Sequence, residues 1–525
     1  MKSTSKVPYL LITLFVAFSL VLSSCANAAG STNKSQVAIW AIYDEPLTNW
    51  DPAVEFSSGI RYFDNVYETL VRYDPVTNKV TPLLATEWST SADGLTWTFK
   101  LRQGVKFHDG TDFNAQAVKF SMDRTIRLAA GAAYIWAPVK EIKVVDDYTV
   151  DFILNYKAPI DLIASTGYAA FIYSPTAVGT DDKWFDAGRE AGTGPYMLKS
   201  FVWGDELVME YFPDYWGGWP DKYLATVMFK KYAEPATRRE LIEKGDVQIT
   251  SELPYTDVNS LKGNPNVTVN IIPTIQNLMP MFNTGKPPLD NKQVRQALSY
   301  AFPYQQVIDT ALGGYAVPSY GFVPVGLWGH SDKVFQYTYD LEKARQLLTQ
   351  AGYANGGFKL LLTYLSGDEA EKITSELYKT ELAKLGIEVE IRSMPWDSQW
   401  EMGKTLNAAD RQDIFVMYWW PDMPSPYSML YSTFHSEDQP SFNLCYYKNS
   451  AFDKLIDDAN ELSGSDRATA EGMFIEAQNT LMDDAPAIAA FDRQSVYLTS
   501  SNLKGLNMNP VYTTVIFFYG MYLDK

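Results

Sequence analysis

A strict alternation of apolar and polar residues from Leu95 to Leu101 constrains the fold more than any other stretch of the chain. It has the period of a β-strand with one buried face and one exposed face. Turn-forming residues precede it at 74–78 and follow it at 108–111. Beyond the second turn, Asn114 can cap a helix with one apolar face, made by Ala115, Val118, Met122 and Ile126. These residues predict an α+β module and contain no catalytic pattern.

Several short motifs surround this strand in a fixed order and spacing. They are Asn65-Val66-Tyr67-Glu68, Tyr73-Asp74-Pro75, Pro82-Leu83-Leu84-Ala85, Trp88, and the run from Thr98 to Gly110. This order resembles the dipeptide/oligopeptide/nickel-binding family of extracellular solute-binding proteins, the receptors of ABC importers. The likeness continues over nearly the whole mature chain, through Gly192-Thr193-Gly194-Pro195-Tyr196, residues 294–301 and residues 450–456.

The resemblance implies an α/β, periplasmic-binding-protein-like fold of two lobes, with mixed sheets, an additional domain and a ligand cleft between the lobes. Three interwoven regions are expected: a discontinuous domain I (35–72, 192–275 and 488–525), domain II (73–191) and domain III (276–487). The residues themselves favour a mixed sheet in domain III. A strand near 358–364, a helix near 369–385 and a strand near 387–393 follow one another there in βαβ order.

The first 24 residues are predicted to be a targeting segment rather than part of the fold. Two lysines precede an apolar run at 7–22, and Leu22-Ser23-Ser24-Cys25 resembles a bacterial lipobox that is cut before Cys25. We therefore expect Cys25 to be lipidated and residues 25–34 to form a tether. The alternatives are a transmembrane anchor or a signal peptide without lipidation. With Cys25 lipidated, only Cys445 remains, so no intrachain disulfide can form.

Composition restricts the possible partners. The chain has 46% hydrophobic residues over 525 positions, enough for a large core, and a formal net charge of −18. Such an acidic chain is unsuited to electrostatic binding of nucleic acid or anionic lipid. No run after the N-terminal segment is long and apolar enough to span a bilayer. We expect an exported monomer that touches the membrane through its lipid anchor only and faces the periplasm or the cell exterior.

Residues 414–430 form the candidate ligand segment. A strand-like apolar run reaches Tyr418, Trp419 and Trp420, and a proline-rich stretch then breaks the strand. Adjacent residues on a strand point to opposite faces, so one tryptophan can pack in the core while the other lines a cavity. In the peptide-binding members of the family this segment lies at the cleft, and the resemblance implies that Asp422 pairs with the α-ammonium of the ligand. A buried cation needs such a fixed anion.

Other interpretations of these residues stay open. Aspartate between prolines is also a common turn former, so Asp422 can be purely structural. The tryptophans can equally stack on pyranose rings, which would make the ligand an oligosaccharide. Trp40 and Tyr43 belong to the first strand of the family fold, which runs near the cleft, and they are either ligand contacts or core aromatics.

Arginines are the candidate partners for a ligand carboxylate. Arg392 and Arg411 are candidates only because they lie near the candidate ligand segment in the sequence. Arg295, in contrast, is expected to form a structural ion pair rather than a ligand contact.

The sequence lacks the patterns that are typical of metal centres and enzymes. Its three histidines, His108, His330 and His435, lie far apart, without a cysteine or a second histidine at metal-ligand spacing. A nickel chelate is therefore a minor alternative for the ligand. No GxSxG or HExxH pattern occurs, and a secreted hydrolase is kept only as the alternative from a different class of protein. We predict no cofactor and no catalytic residue.

Together these features predict a lipid-anchored substrate-binding receptor of an ABC importer. Its ligand is expected to be a di- or oligopeptide, held through main-chain hydrogen bonds and passed to a membrane permease whose ATPase subunits drive transport. Closure of the lobes around the ligand would follow from a higher affinity of the closed state.

Overall fold

The strand predicted at 95–101 is confirmed, and it extends from Thr96 to Leu101 in the computed structural model. Its apolar side chains Trp97, Phe99 and Leu101 are buried. The predicted cap is confirmed as well, because the side chain of Asn114 accepts hydrogen bonds from two backbone N–H groups at the start of a helix. The structure describes residues 36–43, 49–55, 59–512 and 514–524, all within the structural unit Ser35–Lys525. The predicted signal peptide, Cys25 and the tether lie outside the described residues.

The strands of the described residues, in chain order, are β1 (Gln36–Ile42), β2 (Val71–Asp74), β3 (Lys79–Pro82), β4 (Ala85–Thr90), β5 (Thr96–Leu101), β6 (Val139–Asp146), β7 (Thr149–Leu154), β8 (Tyr196–Val202), β9 (Glu206–Tyr211), β10 (Leu224–Lys231), β11 (Ile249–Ser251), β12 (Val267–Phe282), β13 (Ala316–Pro318), β14 (Lys359–Leu365), β15 (Glu388–Met394), β16 (Ile414–Trp419), β17 (Phe491–Ser500), β18 (Leu503–Lys504) and β19 (Tyr522–Leu523).

The α-helices of the same residues are α1 (Ile60–Val66), α2 (Ala115–Leu128), α3 (Ile160–Ile163), α4 (Pro175–Val178), α5 (Pro235–Lys244), α6 (Tyr255–Leu261), α7 (Lys292–Tyr300), α8 (Tyr304–Ala311), α9 (Leu341–Gln350), α10 (Glu369–Ala383), α11 (Trp396–Lys404), α12 (Pro426–Phe434), α13 (Ser450–Ser463) and α14 (Arg467–Asp484). Short 3-10 helices occupy Ala133–Trp136, Trp184–Ala187 and Ala408–Asp410.

One mixed sheet of eleven strands organises most of the chain. Its strand order is β15-β14-β16-β12-β17-β11-β1-β10-β9-β8, and β13 pairs with β17 beside this path. β14 and β15 are parallel, as the βαβ order of their sequence predicts, whereas β12 and β16 are antiparallel. The prediction of a mixed sheet is therefore confirmed.

Two long antiparallel strands, β12 and β17, cross the centre of this sheet. They pair from Val267 opposite Ser500 to Leu278 opposite Phe491, with a shift of register between Pro273 and Asn277. Past this shift β12 continues beside β16, whereas the other end of β17 pairs with β11. The two strands thus carry the chain between the halves of the sheet.

A separate antiparallel sheet, in the order β4-β5-β7-β6, lies within residues 85–154. Its β6–β7 pair is a hairpin that runs from Val139 to Leu154. The inner face of this sheet and helix α2 enclose an apolar cluster that includes Phe99, Val118 and Phe152. These residues all fall in predicted domain II; the boundaries of the three regions stay a prediction.

The main sheet carries two further apolar clusters. The larger one includes Leu278, Leu298 and Leu481, and the other includes Trp40 and Phe229. Among the helices that the structure describes, none combines the length and the apolar character needed to cross a membrane.

Candidate ligand-binding site

The predicted ligand segment is held between a strand and a capped helix. β16 ends with Trp419 opposite Asn277 of β12, and the following residues, Trp420–Pro424, leave the sheet because proline cannot continue its hydrogen bonds. The hydroxyl of Ser425 then caps α12 by accepting a hydrogen bond of 3.2 Å from the N–H of Tyr427. Residues Trp420–Pro424 are called the 420–424 loop below. Regular structure on both sides holds this loop in place.

Asp422 is enclosed by residues from a distant part of the chain. Its carboxylate accepts a hydrogen bond from the hydroxyl of Tyr134, and its backbone carbonyl accepts one of 2.8 Å from the hydroxyl of Thr166. Only 7% of Asp422 is exposed, and this burial raises the pKa of its carboxyl to about 6. Within the described ranges, no basic side chain forms an ion pair with Asp422. Among the described residues, the carboxyl therefore has one neutral partner and no counter-ion.

A small cavity of about 20 Å³ lies beside Asp422. Its walls come from three parts of the chain, namely Ile60 of α1, residues 166–168 and Tyr512, together with the 420–424 loop. This volume is enough for one small polar group of the size of a water molecule. A second acid, Asp64, lies behind Gly167, since a Cβ atom built there would be 2.9 Å from an Asp64 oxygen.

A much larger cavity, of about 490 Å³, also has residues of the 420–424 loop in its wall. Six of its lining residues are aromatic: Trp396, Trp400, Tyr418, Trp419, Trp420 and Phe442. The rest are Gln276, Leu365, Glu371 and Asp422. Asp422 and Trp420 line both cavities, so the loop contributes to a small, mainly apolar recess as well as to a wide aromatic chamber.

Trp419 and Trp420 do not divide their roles in the way that strand alternation predicts. Both line the large cavity, and Trp420 remains 40% exposed. The reason is that β16 ends at Trp419, so the alternation of faces no longer applies to the next residue. Trp419 also packs beside Phe442, with ring centroids 5.5 Å apart. Its indole N–H is buried and has no hydrogen-bond partner among the described residues.

The aromatic candidates of the first strand lie elsewhere. Trp40 is 2% exposed and packs in the core against Phe229, with ring centroids 5.3 Å apart. Tyr43 is 46% exposed and lies 5.9 Å from the guanidinium of Arg238. The structure favours the core alternative for Trp40, and a ligand contact for either residue stays a prediction.

The arginine candidates of the sequence have structural partners. Arg392 is half exposed and pairs with Glu390 at 2.9 Å, and Arg411 donates to the carbonyls of Thr405 and Leu406. The prediction of an ion pair for Arg295 is wrong within the described chain. Its buried guanidinium donates instead to four backbone carbonyls, because the loop before α7 and the end of α14 supply acceptors around it: Leu289, Asp290, Asp484 and Ala485.

A different arginine lies beside the large cavity. Arg493 of β17 is 3.5 Å from the side-chain oxygen of Gln276 and lies 5.7 Å from the ring centre of Tyr418, and both of these residues line the cavity. It also forms an ion pair of 3.1 Å with Glu252. Its position depends on the pairing of β12 with β17, which no local pattern reveals.

Sequence reasoning also missed Tyr134, Glu371, Trp396 and Trp400. The two tryptophans carry a usable signal, since residues four apart on a helix share one face, and their rings lie 5.1 Å apart. Tyr134 and Glu371 lie far from Asp422 in sequence and carry no such signal.

Two of the histidines form contacts with acidic side chains. His108 is buried against Glu190 at 2.7 Å, which raises the pKa of its imidazole, and His435 lies 3.4 Å from Asp457. Across the described part of the chain, no group of three or more potential ligands could hold a metal ion. Cys445 is a buried, free cysteine.

Comparison with known proteins identifies the family. Residues 79–441 match the family model of the bacterial extracellular solute-binding proteins, family 5, middle part. The chain belongs to this family. Membership makes it an exported solute-binding protein, and it confirms the resemblance found in the sequence.

Curated relatives of the family 5 protein cover most of its length. The probable D,D-dipeptide-binding periplasmic protein DdpA of Escherichia coli strain K12 is 30% identical over 459 residues, which are 86% of this chain and 87% of DdpA. The glutathione-binding protein GsiB of the same strain is 28% identical over 514 residues, or 95% of this chain and 96% of GsiB.

A solved structure supports the fold. The periplasmic binding protein DppA of Helicobacter pylori, in complex with the peptide STSA, superposes with a TM-score of 0.76 at 28% identity. The match covers 93% of this chain and 98% of DppA. The predicted two-lobed, periplasmic-binding-protein-like α/β fold is confirmed.

Proposed function

We propose that this family 5 protein is the lipid-anchored receptor of an ABC importer and that it binds di- or oligopeptides between its lobes. Lobe closure would enclose the peptide, and the closed form would deliver it to a membrane permease with ATPase subunits. The protein itself would act as a monomer, without a cofactor and without catalysis.

The buried carboxyl of Asp422 is the observation that carries the peptide assignment. It faces a recess large enough for one small polar group, and no cation within the described residues neutralises it. A peptide α-ammonium in this recess would form a charge-assisted hydrogen bond with Asp422 and would lower the pKa of the carboxyl. The relatives support this assignment, since DdpA is described as binding a D,D-dipeptide and DppA was solved with a bound peptide.

Contacts across the site support lobe closure. Tyr134 and Thr166, from predicted domain II, both hydrogen-bond to Asp422 of predicted domain III. β12 and β17 are the long strands that join the halves of the main sheet, and a change in their twist would move one half relative to the other. Small-angle scattering with and without peptide is expected to show compaction on binding, and size exclusion is expected to show a monomer.

The binding experiment compares an unmodified tripeptide with its N-acetylated form by isothermal titration calorimetry. Asp422→Asn should weaken binding of the unmodified peptide by at least about a hundredfold, because it removes the counter-ion of a buried charge. It should leave the weak binding of the acetylated peptide nearly unchanged. Asp438→Asn is the matched control, since Asp438 is fully exposed. Equal affinity of the wild type and Asp422→Asn for the unmodified peptide would rule out the amine anchor.

The six aromatic residues of the large cavity favour an oligosaccharide as the second candidate ligand, because flat rings also stack on pyranoses. Mass spectrometry of small molecules released by denaturation separates the two. Peptides of mixed sequence and narrow length would support the first candidate, whereas masses spaced by one hexose would support the second and remove Asp422 as an amine anchor.

The lipid anchor rests on the lipobox-like residues Leu22-Ser23-Ser24-Cys25. Metabolic labelling with a fatty acid, followed by membrane fractionation, tests it. Cys25→Ala should lose both the label and the membrane association while its affinity for peptide stays the same. A labelled Cys25→Ala protein would contradict the assignment.

A further inference from the structure

The large aromatic cavity contains a second buried acid besides Asp422. Glu371 is 2% exposed and is the third residue of α10, where it lines the chamber. One of its carboxyl oxygens accepts a hydrogen bond of 2.8 Å from the N–H of Leu365. This is the only hydrogen bond to the Glu371 side chain among the described residues, although a carboxylate can accept about four. Most of its acceptor capacity is therefore unused.

No base within the described ranges balances Glu371. Arg493 lies beside the cavity residues Gln276 and Tyr418 but forms its ion pair with Glu252. Burial raises the pKa of Glu371 to about 8, and the negative charge of another acid, Asp368, contributes to this rise. Glu371 is thus an acid held away from water, with a like charge nearby and without a counter-ion in the described part of the chain.

The walls around Glu371 suit a cation with an apolar stem. Trp396, Trp400, Trp419 and Trp420 line the same chamber, and the faces of indole rings attract cations by cation–π interaction. Lysine and arginine side chains cover apolar surface with their methylene groups and place the charge at the end. An approaching cation also favours the ionised form of a buried carboxyl, which would then release its proton.

We infer that the aromatic cavity is a specificity site for a cationic side chain of the bound peptide, with Glu371 as its counter-ion and the tryptophan rings as its walls. This inference rests on the proposed peptide-binding function and deepens it. Because Asp422 lines the same chamber, the cationic residue lies at or next to the amino terminus of the peptide. The receptor thus prefers peptides with a basic residue at one of these positions.

The test compares lysine with norleucine, which has the same four-carbon chain without the ammonium group. Calorimetry at pH 7 is carried out on Lys-Ala-Ala and Ala-Lys-Ala and on the two corresponding norleucine peptides. At one of the two positions, the lysine peptide should bind about ten- to a hundredfold more tightly, the range for a hydrogen bond to a charged group. Glu371→Gln should abolish this preference, so that the lysine and norleucine peptides bind the variant with equal affinity. Glu376→Gln, on the exposed face of the same helix, is the matched control.

The outcomes separate this inference from the proposed function. Equal affinities for lysine and norleucine at both positions, with clear binding, would overturn the cationic site and leave the peptide receptor intact. Absence of binding for all four peptides would overturn the receptor proposal, and the cationic site with it. The wild-type comparison needs no variant, so a poorly folded Glu371→Gln protein would not obscure the result.

Discussion

Asp422→Asn is expected to stabilise the ligand-free fold at neutral pH, although it weakens peptide binding. The pKa of Asp422 is about 6 in the folded protein and 3.8 for an unperturbed aspartate. Between these values the folded state binds more protons than the unfolded state, so stability falls as pH rises from 3.8 to 6 and the loss persists above 6. At about 1.4 kcal/mol per pKa unit, the loss at pH 7 is about 3 kcal/mol.

Asparagine avoids this loss because it is never ionised, and its side-chain oxygen can still accept the hydrogen bond of Tyr134. Unfolding entropy of about 2.1 cal/mol/K per residue over about 490 residues gives about 1 kcal/mol/K, so the expected rise in Tm at pH 7 is about 3 °C. At pH 4 wild-type Asp422 is almost fully protonated, and the gain should drop below about 1 kcal/mol.

Calorimetric melting of the wild type, Asp422→Asn and the exposed control Asp438→Asn at pH 7 and pH 4 measures these differences. The control should not change Tm at either pH. A rise of the same size at both pH values, or a fall at pH 7, would refute the reasoning. A fall at pH 7 would show that the structural hydrogen bonds of Asp422 outweigh the cost of its desolvation.

Three further predictions follow from the same structure. The affinity for an unmodified peptide should fall about tenfold between pH 7 and pH 5 as Asp422 is protonated, while an N-acetylated peptide should show no such change by calorimetry. Arg124→Met should reduce the free energy of unfolding in urea by roughly 3–5 kcal/mol, because it leaves Asp51, now paired with Arg124 at 2.6 and 2.7 Å, buried without a counter-ion among the described residues; an unchanged urea midpoint would contradict this. Trp420→Ala should weaken ligand binding with little effect on the free energy of unfolding, whereas Trp40→Ala should lower that free energy by about 3–5 kcal/mol. Loss of stability in Trp420→Ala together with loss of binding in Trp40→Ala would instead make Trp420 the core residue and Trp40 the ligand contact.

Local patterns were sufficient for the secondary structure near the site. The strand β5, the cap at Asn114, the parallel βαβ order of β14, α10 and β15, and the end of β16 before a proline all depend on interactions between near neighbours in the chain. The order and spacing of the motifs after Asn65 were sufficient for the family, and through it for the two-lobed fold.

The composition of the site depends on contacts between residues that are far apart in sequence. Tyr134 hydrogen-bonds to Asp422 across 288 positions, and Glu371 reaches the chamber of Trp419 through the pairing of β14 with β16. Local periodicity assigns a residue to a face of its own strand or helix, but it says nothing about which distant element lies opposite that face.

The arginines and tryptophans show the same limit. Arg295 binds four backbone carbonyls instead of a carboxylate, because the end of α14 lies beside the loop before α7. Both Trp419 and Trp420 line one cavity, because β16 ends between them. The residue types and their order therefore determined the fold and the candidate acid Asp422. Its neighbours, its burial and the second acid Glu371 were decided only when the folded chain brought distant segments together and excluded water from between them.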